Sequence, residues 1–81
     1  MYKVIVIGEE AKLSVKDLAV LVDMINHFSC NVFIGQEDAM INAKSFMGVV
    51  SLGLAKGKSV CVETTGYDEA EAMEAIERIL V

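Results

Sequence analysis

Asn42-Ala43-Lys44-Ser45-Phe46-Met47-Gly48-Val49-Val50-Ser51-Leu52-Gly53 is the stretch whose reading decides the fold. It lies between two hydrophobic runs of strand composition, and its own chemistry is that of a short helix lying on a surface. The Ser45 hydroxyl is placed to accept a backbone N–H of the first turn. Gly53 is placed to close the last turn in a left-handed conformation. Between them stand Phe46, Met47, Val49, Val50 and Leu52, too many apolar side chains for one buried face. Some are therefore expected at the surface, where an apolar patch beside a capping serine offers a partner protein a place to dock.

Working outward, Ala39-Met40-Ile41-Asn42 precedes this helix as a strand. It pairs as a hairpin with Asn31-Val32-Phe33-Ile34 across a polar turn at Gly35-Gln36-Glu37-Asp38. Further upstream, Val15, Leu18, Val22 and Ile25 recur at i, i+3, i+4, i+7 spacing, widened by Ala19, Leu21 and Phe28. This is the stripe of an amphipathic helix packed on a sheet. Ser14 with Asp17 three residues later gives that helix a capping-box start, and it should end near His27-Phe28-Ser29. Tyr2 to Ile7 is short and β-branched, the composition of a first strand. Gly8 ends it, and Glu9 to Lys12 is a charged loop.

Downstream, Lys56-Gly57-Lys58 reads as a turn, and Ser59 to Thr65 as a strand that points Val60 and Val62 to the core. Gly66-Tyr67 breaks it. Asp68 with Glu71 is a second capping signal. The last helix carries Ala72, Met73, Ile76, Ile79 and Leu80 on one face and Glu69, Glu74, Glu77 and Arg78 on the other. The order β-α-β-β-α-β-α predicts an α+β fold, a four-stranded sheet covered on one face by three helices. Strand order is not fixed by this reading.

Residues 1–81 make one domain, with 54% hydrophobic residues to fill a two-layer core. A net charge of −5 argues against a nucleic-acid partner, which demands a basic footprint. No apolar run approaches the ~20 residues needed to span a bilayer, and Met1-Tyr2-Lys3-Val4 lacks a signal-peptide layout. Cys30 and Cys61 fit no C-x-x-C pattern and read as small core residues in a reducing cytoplasm. His27, the single histidine, falls about 20 Å along the first helix from Ser14. There it reads as a solvent-facing complement to the helix dipole. With no second histidine, no catalytic cysteine pattern and no paired carboxylates in a cleft, the chain is not expected to be an enzyme. No metal and no cofactor is implied.

N-A-K-S-F-M-G-V-V-S-L-G resembles the regulatory-serine segment of the HPr family, the small phosphocarriers of the bacterial sugar phosphotransferase system. The resemblance continues through A-K-G-K-S-V and T-G-Y-D-E-A-E-A-M-E-A-I at the expected distances, and so covers nearly the whole chain. It implies an open-faced antiparallel sandwich with the first and fourth strands as neighbours. It also implies that Ser45 is phosphorylated by HPr kinase/phosphorylase, and that Phe46, Met47, Val50 and Lys16 contact partners. The partners implied are a catabolite-control transcription factor or other phosphotransferase-system proteins.

The family pattern breaks at its defining feature, a histidine within G-[IL]-H-A-R-P-A. The aligned stretch here is Lys12-Leu13-Ser14-Val15-Lys16-Asp17-Leu18. Ser14 stands in the phosphohistidine position, Lys16 in that of the arginine and Asp17 in that of the proline. A serine phosphoester is too stable to relay a phosphoryl group as imidazole does. Lysine lacks the planar fork that holds phosphate oxygens in pairs, and Asp17 adds a repelling charge. The expectation is an HPr-like protein that signals through Ser45 and cannot act as a histidine carrier, as in the catabolite-repression branch of the family. Two other readings stay open: a silent carrier by descent, and a plain interaction domain.

Overall fold

The computed structural model describes all 81 residues. β1 is Tyr2–Val6, α1 Val15–Asn26, β2 Asn31–Gln36, β3 Ala39–Asn42, α2 Phe46–Ser51, β4 Ser59–Thr65 and α3 Glu69–Leu80. The strands form one antiparallel sheet in the order β1-β4-β2-β3, so the first and fourth strands are neighbours. The register sets apolar side chains abreast on the helix side: Ile5 faces Val60, and Val62 faces Ile34, which faces Ile41. Period-two alternation sends Val32, Ile34, Val60, Val62 and Thr64 inward under the helices. No helix is long and apolar enough to cross a membrane.

α1 seals the sheet with Leu18, Leu21, Val22 and Ile25. Two members of the expected stripe do not join them, since Val15 is 62% exposed and Ala19 is exposed. At 100° per residue both lie on the rim of the buried arc rather than within it. α3 buries Ala72, Met73, Ile76 and Leu80 and leaves Glu74 and Arg78 outside, paired at 2.7 Å.

Three further expectations are corrected. Gly35 and Gln36 continue β2, leaving Glu37-Asp38 as a two-residue hairpin turn. Gly35 pairs with both Met40 and Cys61 at φ 149°, a backbone that favours glycine, and a Cβ there would collide with the Ala39 carbonyl oxygen. Asp68 does not cap α3 with its side chain. Its carboxylate instead accepts the N–H groups of Ser29 at 2.8 Å and Cys30 at 2.9 Å, tying the start of β2 to the turn before α3. Glu69 takes over locally, accepting the Gly66 N–H at 3.1 Å. Cys30 lies in the core as expected. Cys61 is buried on the opposite face of the sheet, beside Val4 and Gly35.

Candidate functional site

Two helix starts carry the polar chemistry. At the first, Ser14 caps α1 in an extended conformation, and its hydroxyl is used twice. It accepts the Asp17 N–H at 3.1 Å and donates to the Asp17 carboxylate at 2.6 Å, while the Ser14 N–H reaches the same carboxylate oxygen at 3.3 Å. The capping box is therefore closed, and a carboxylate occupies the place where an incoming anion would meet the first-turn N–H groups. Lys16, the second residue of the helix, is exposed. A shallow groove of about 330 Å³ is lined by Glu10, Lys12, Asp17, Val20, Leu21 and Ile79. Two acids against one lysine do not make an anion cradle.

At the second, Ser45 caps α2 and accepts the Gly48 N–H at 3.2 Å. Its hydroxyl donates to no side chain or backbone carbonyl, so the proton is free, and the residue is exposed. The backbone leading to it is held on three sides. Lys44 N–H donates to the Asn42 carboxamide oxygen at 2.9 Å, and Asn26 donates to the Lys44 carbonyl at 3.1 Å. The Lys44 ammonium donates to the Phe28 carbonyl at 2.8 Å. Gly48 lets α2 sit close to β3, because a Cβ there would meet Ile41 Cδ1 at 3.2 Å. Gly53, at φ 65°, provides the left-handed residue after the helix.

α2 sorts its apolar residues as an overfilled short helix must. Val49 is fully buried, Phe46, Val50 and Leu52 are half-buried against the core, and Met47 is 73% exposed. Ser45, Phe46, Met47 and Val50 thus belong to one short element. Lys16 is not with them at its start. Asn26 meets Lys44 at the C-terminal end of α1, about 18 Å along the axis from Ser14. The two helix starts are separate sites joined by α1. Asn26 carries no periodicity or motif signal that would have singled it out in the sequence, and Lys44, though inside the deciding stretch, gives no sign there of its Phe28 partner.

The remaining titratable groups lie elsewhere. His27 is the exposed C-cap of α1, its Nδ1–H donating to the Asp23 carbonyl at 2.8 Å. Burial, then a hydrogen bond to Asp68, pushes the Cys30 thiol up from its ordinary value. The backbone N–H of Ser29 is the largest of several hydrogen bonds that hold the Asp68 carboxyl below the usual carboxylate range. A small cavity of about 90 Å³, lined by Ile7, Gln36, Leu52, Lys58 and Val60 among others, touches neither serine.

A family model described as the PTS HPr component phosphorylation site matches residues 2–81. The chain belongs to the HPr family. HPr proteins are phosphocarriers of the phosphotransferase system rather than catalysts. The HPr-like protein Crh of Halalkalibacterium halodurans is 39% identical over 64 residues, 79% of this chain and 76% of the relative. The crystal structure of the phosphocarrier protein HPr from Bacillus anthracis superposes with a TM-score of 0.90 at 30% identity, covering 100% of this chain and 96% of the other. That of the Bacillus subtilis catabolite-repression protein Crh, a swapped dimer, gives 0.76 at 33% identity, covering 86% and 80%. The open-faced sandwich of HPr is the fold found here.

Proposed function

We propose that this chain is a regulatory HPr-like protein of the sugar phosphotransferase system, phosphorylated at Ser45 and read by partner proteins through α2, and that it does not carry phosphate on a histidine. The observation that carries this reading is the contrast between the two helix-capping serines. In the phosphohistidine position stands Ser14, its hydroxyl closed onto Asp17 at 2.6 Å. Ser45 is exposed with its proton free, beside the exposed Met47.

Phosphorylation transfers the γ-phosphoryl group of ATP to Ser45 Oγ. The new P–O bond forms as the bond to ADP breaks, and the hydroxyl proton leaves to a base of the kinase. The product adds a charge of about −1.5 to −2 and three acceptor oxygens at the start of α2. A partner reading both features places an arginine or lysine on the phosphate and an apolar pocket over Met47 and the exposed edges of Phe46 and Val50. Lys16, near the start of α1, is assigned to a separate partner contact at the other helix start. HPr kinase/phosphorylase is the modifying partner. The reader is a catabolite-control transcription factor or another phosphotransferase-system protein, in keeping with the catabolite-repression role named for the Bacillus subtilis relative. The setting for all of these is the cytoplasm.

The test uses wild type, Ser45→Ala and Met47→Ala, each incubated with HPr kinase and ATP and measured by intact mass. Phosphate should appear on wild type and Met47→Ala only. Binding of the reader should follow on wild type only. Labelling of Ser45→Ala to the wild-type extent moves the phosphosite elsewhere and removes the reading.

A further inference from the structure

The face of the sheet turned away from the helices carries an apolar patch bordered by Asn31, Asn42, Ser59 and Thr65, where an open sheet face is ordinarily polar throughout. Val4 and Val6 are each 59% exposed there, Tyr2 and Phe33 are also exposed, and Met40 is half-buried. The pairing sets Glu63 directly between Tyr2 of β1 and Phe33 of β2. The next row runs Val4, Cys61, Gly35, Met40. A carboxylate is thus flanked by two aromatic side chains about 5 Å to either side, above an apolar shelf. Glu63 makes no ion pair. No outward strand position holds a lysine or arginine. Lys3, the one cation within a strand, lies on the other face and pairs with Glu77 at 2.8 Å.

The geometry points to a second docking surface on this open face, for an arginine- or lysine-bearing apolar segment of another protein. The cation sits on Glu63 between Tyr2 and Phe33, and its apolar neighbours lie over Val4 and Met40. A carboxylate supplies the charge-assisted hydrogen bonds, and the two rings attract a cation and repel an anion. Charge argues against a second copy of this chain as occupant, since self-pairing would bring Glu63 carboxylates together in a chain of net charge −5. Four strands at their usual spacing, four residues deep, present roughly 300 Å², which suits a short segment rather than the roughly 800 Å² per partner of a stable domain interface. The surface is independent of Ser45 and of its modification.

The probe is an acetylated and amidated hexapeptide of alternating valine and arginine, with a valine–glutamate hexapeptide as control. Amide chemical shifts of the isotope-labelled protein are followed during titration. The valine–arginine peptide should give saturable shifts on the outward residues of β1, β4 and β2. Glu63→Lys should weaken binding at least tenfold, Phe33→Ala several-fold, and Met47→Ala should leave it unchanged. Glu63 is exposed, so its variant should fold, and the amide spectrum reports this directly. Shifts confined to α1 and α2, no saturable shift, equal binding of the glutamate peptide, or undiminished binding by folded Glu63→Lys each overturn the proposal. So does a concentration-dependent dimer of the peptide-free protein with interface shifts on this face.

Discussion

Exchanging Ser45 tests whether phosphorylation acts on the surface or on the fold. Ser45→Ala deletes the acceptor of the Gly48 N–H at 3.2 Å, the only side-chain cap on α2. Loss of such a cap costs about 1 kcal/mol, and in a domain of this size that corresponds to a fall in Tm of about 4–8 °C. Ser45→Asp keeps an acceptor oxygen at the N-cap, where aspartate and serine are about equally favourable. It should melt within about 2 °C of wild type, a few tenths of a kcal/mol on the same scale. The phosphoserine form also keeps an acceptor at that position, and α2 is bounded by Gly48 packing on Ile41 and by Val49 in the core, neither of which the phosphate touches. Its Tm should stay with that of Ser45→Asp. Thermal unfolding of the four species, followed by far-ultraviolet circular dichroism, decides the matter. If the phosphorylated protein or Ser45→Asp melts as low as Ser45→Ala, the modification loosens the fold and the surface mechanism is refuted. If Ser45→Ala melts with wild type, the hydrogen bond contributes nothing.

Incubation with phosphoenolpyruvate and the first enzyme of the phosphotransferase system should add no mass to this chain, and an acid-labile adduct would contradict the reading of Ser14. The triple variant Ser14→His, Lys16→Arg, Asp17→Pro should gain acceptance while losing both arms of the α1 capping box, at a cost of about 1–2 kcal/mol; a folded variant that still gains no phosphate shows that the docking surface has also diverged. Asp68 titrates below its ordinary 3.8 in the folded state, so its stabilising effect is present at neutral pH and is lost as pH falls through the folded value. Urea midpoints of wild type and Asp68→Asn should therefore differ at pH 7, and the gap should narrow as pH is lowered below 3.8; a gap that persists unchanged in acid excludes the carboxylate as its source. Leu21→Ala, at a fully buried position of α1, should cost about 2–5 kcal/mol in urea unfolding, and a loss under 1 kcal/mol would mean that the helix–sheet interface collapses around the gap.

Local chemistry written within a few residues was legible in the chain. The Ser14–Asp17 capping box, the Ser45 cap, the glycine after α2 and the hairpin of β2 with β3 all form as their sequences indicate. Each depends on groups three or four residues apart or on a short turn, so the backbone brings them together with little help from elsewhere. The position of β4 between β1 and β2 was not legible from pattern alone, because alternation states which face a side chain takes and not which strand lies beside it. The likeness to the HPr segments supplied only the neighbourhood of the first and fourth strands, and the structure completes the order.

What only the tertiary structure decided concerns residues whose partners are distant in sequence. Asp68 has the signature of a helix cap, yet its carboxylate lies beside the N–H groups of Ser29 and Cys30, almost forty positions away, and a charged acceptor satisfies two donors there rather than one in its own helix. Cys61 is buried by Val4, Gly35 and Tyr2 on the face that the pattern left open. Val15 and Ala19 keep helical spacing but fall outside the arc that the sheet covers. The Ser45 approach is held by Asn26 and by the Lys44 ammonium, which find their carbonyl partners only once α1 packs against α2. Spacing along a chain specifies faces and caps; which buried donor a long-range acceptor satisfies depends on the three-dimensional packing that brings the two together.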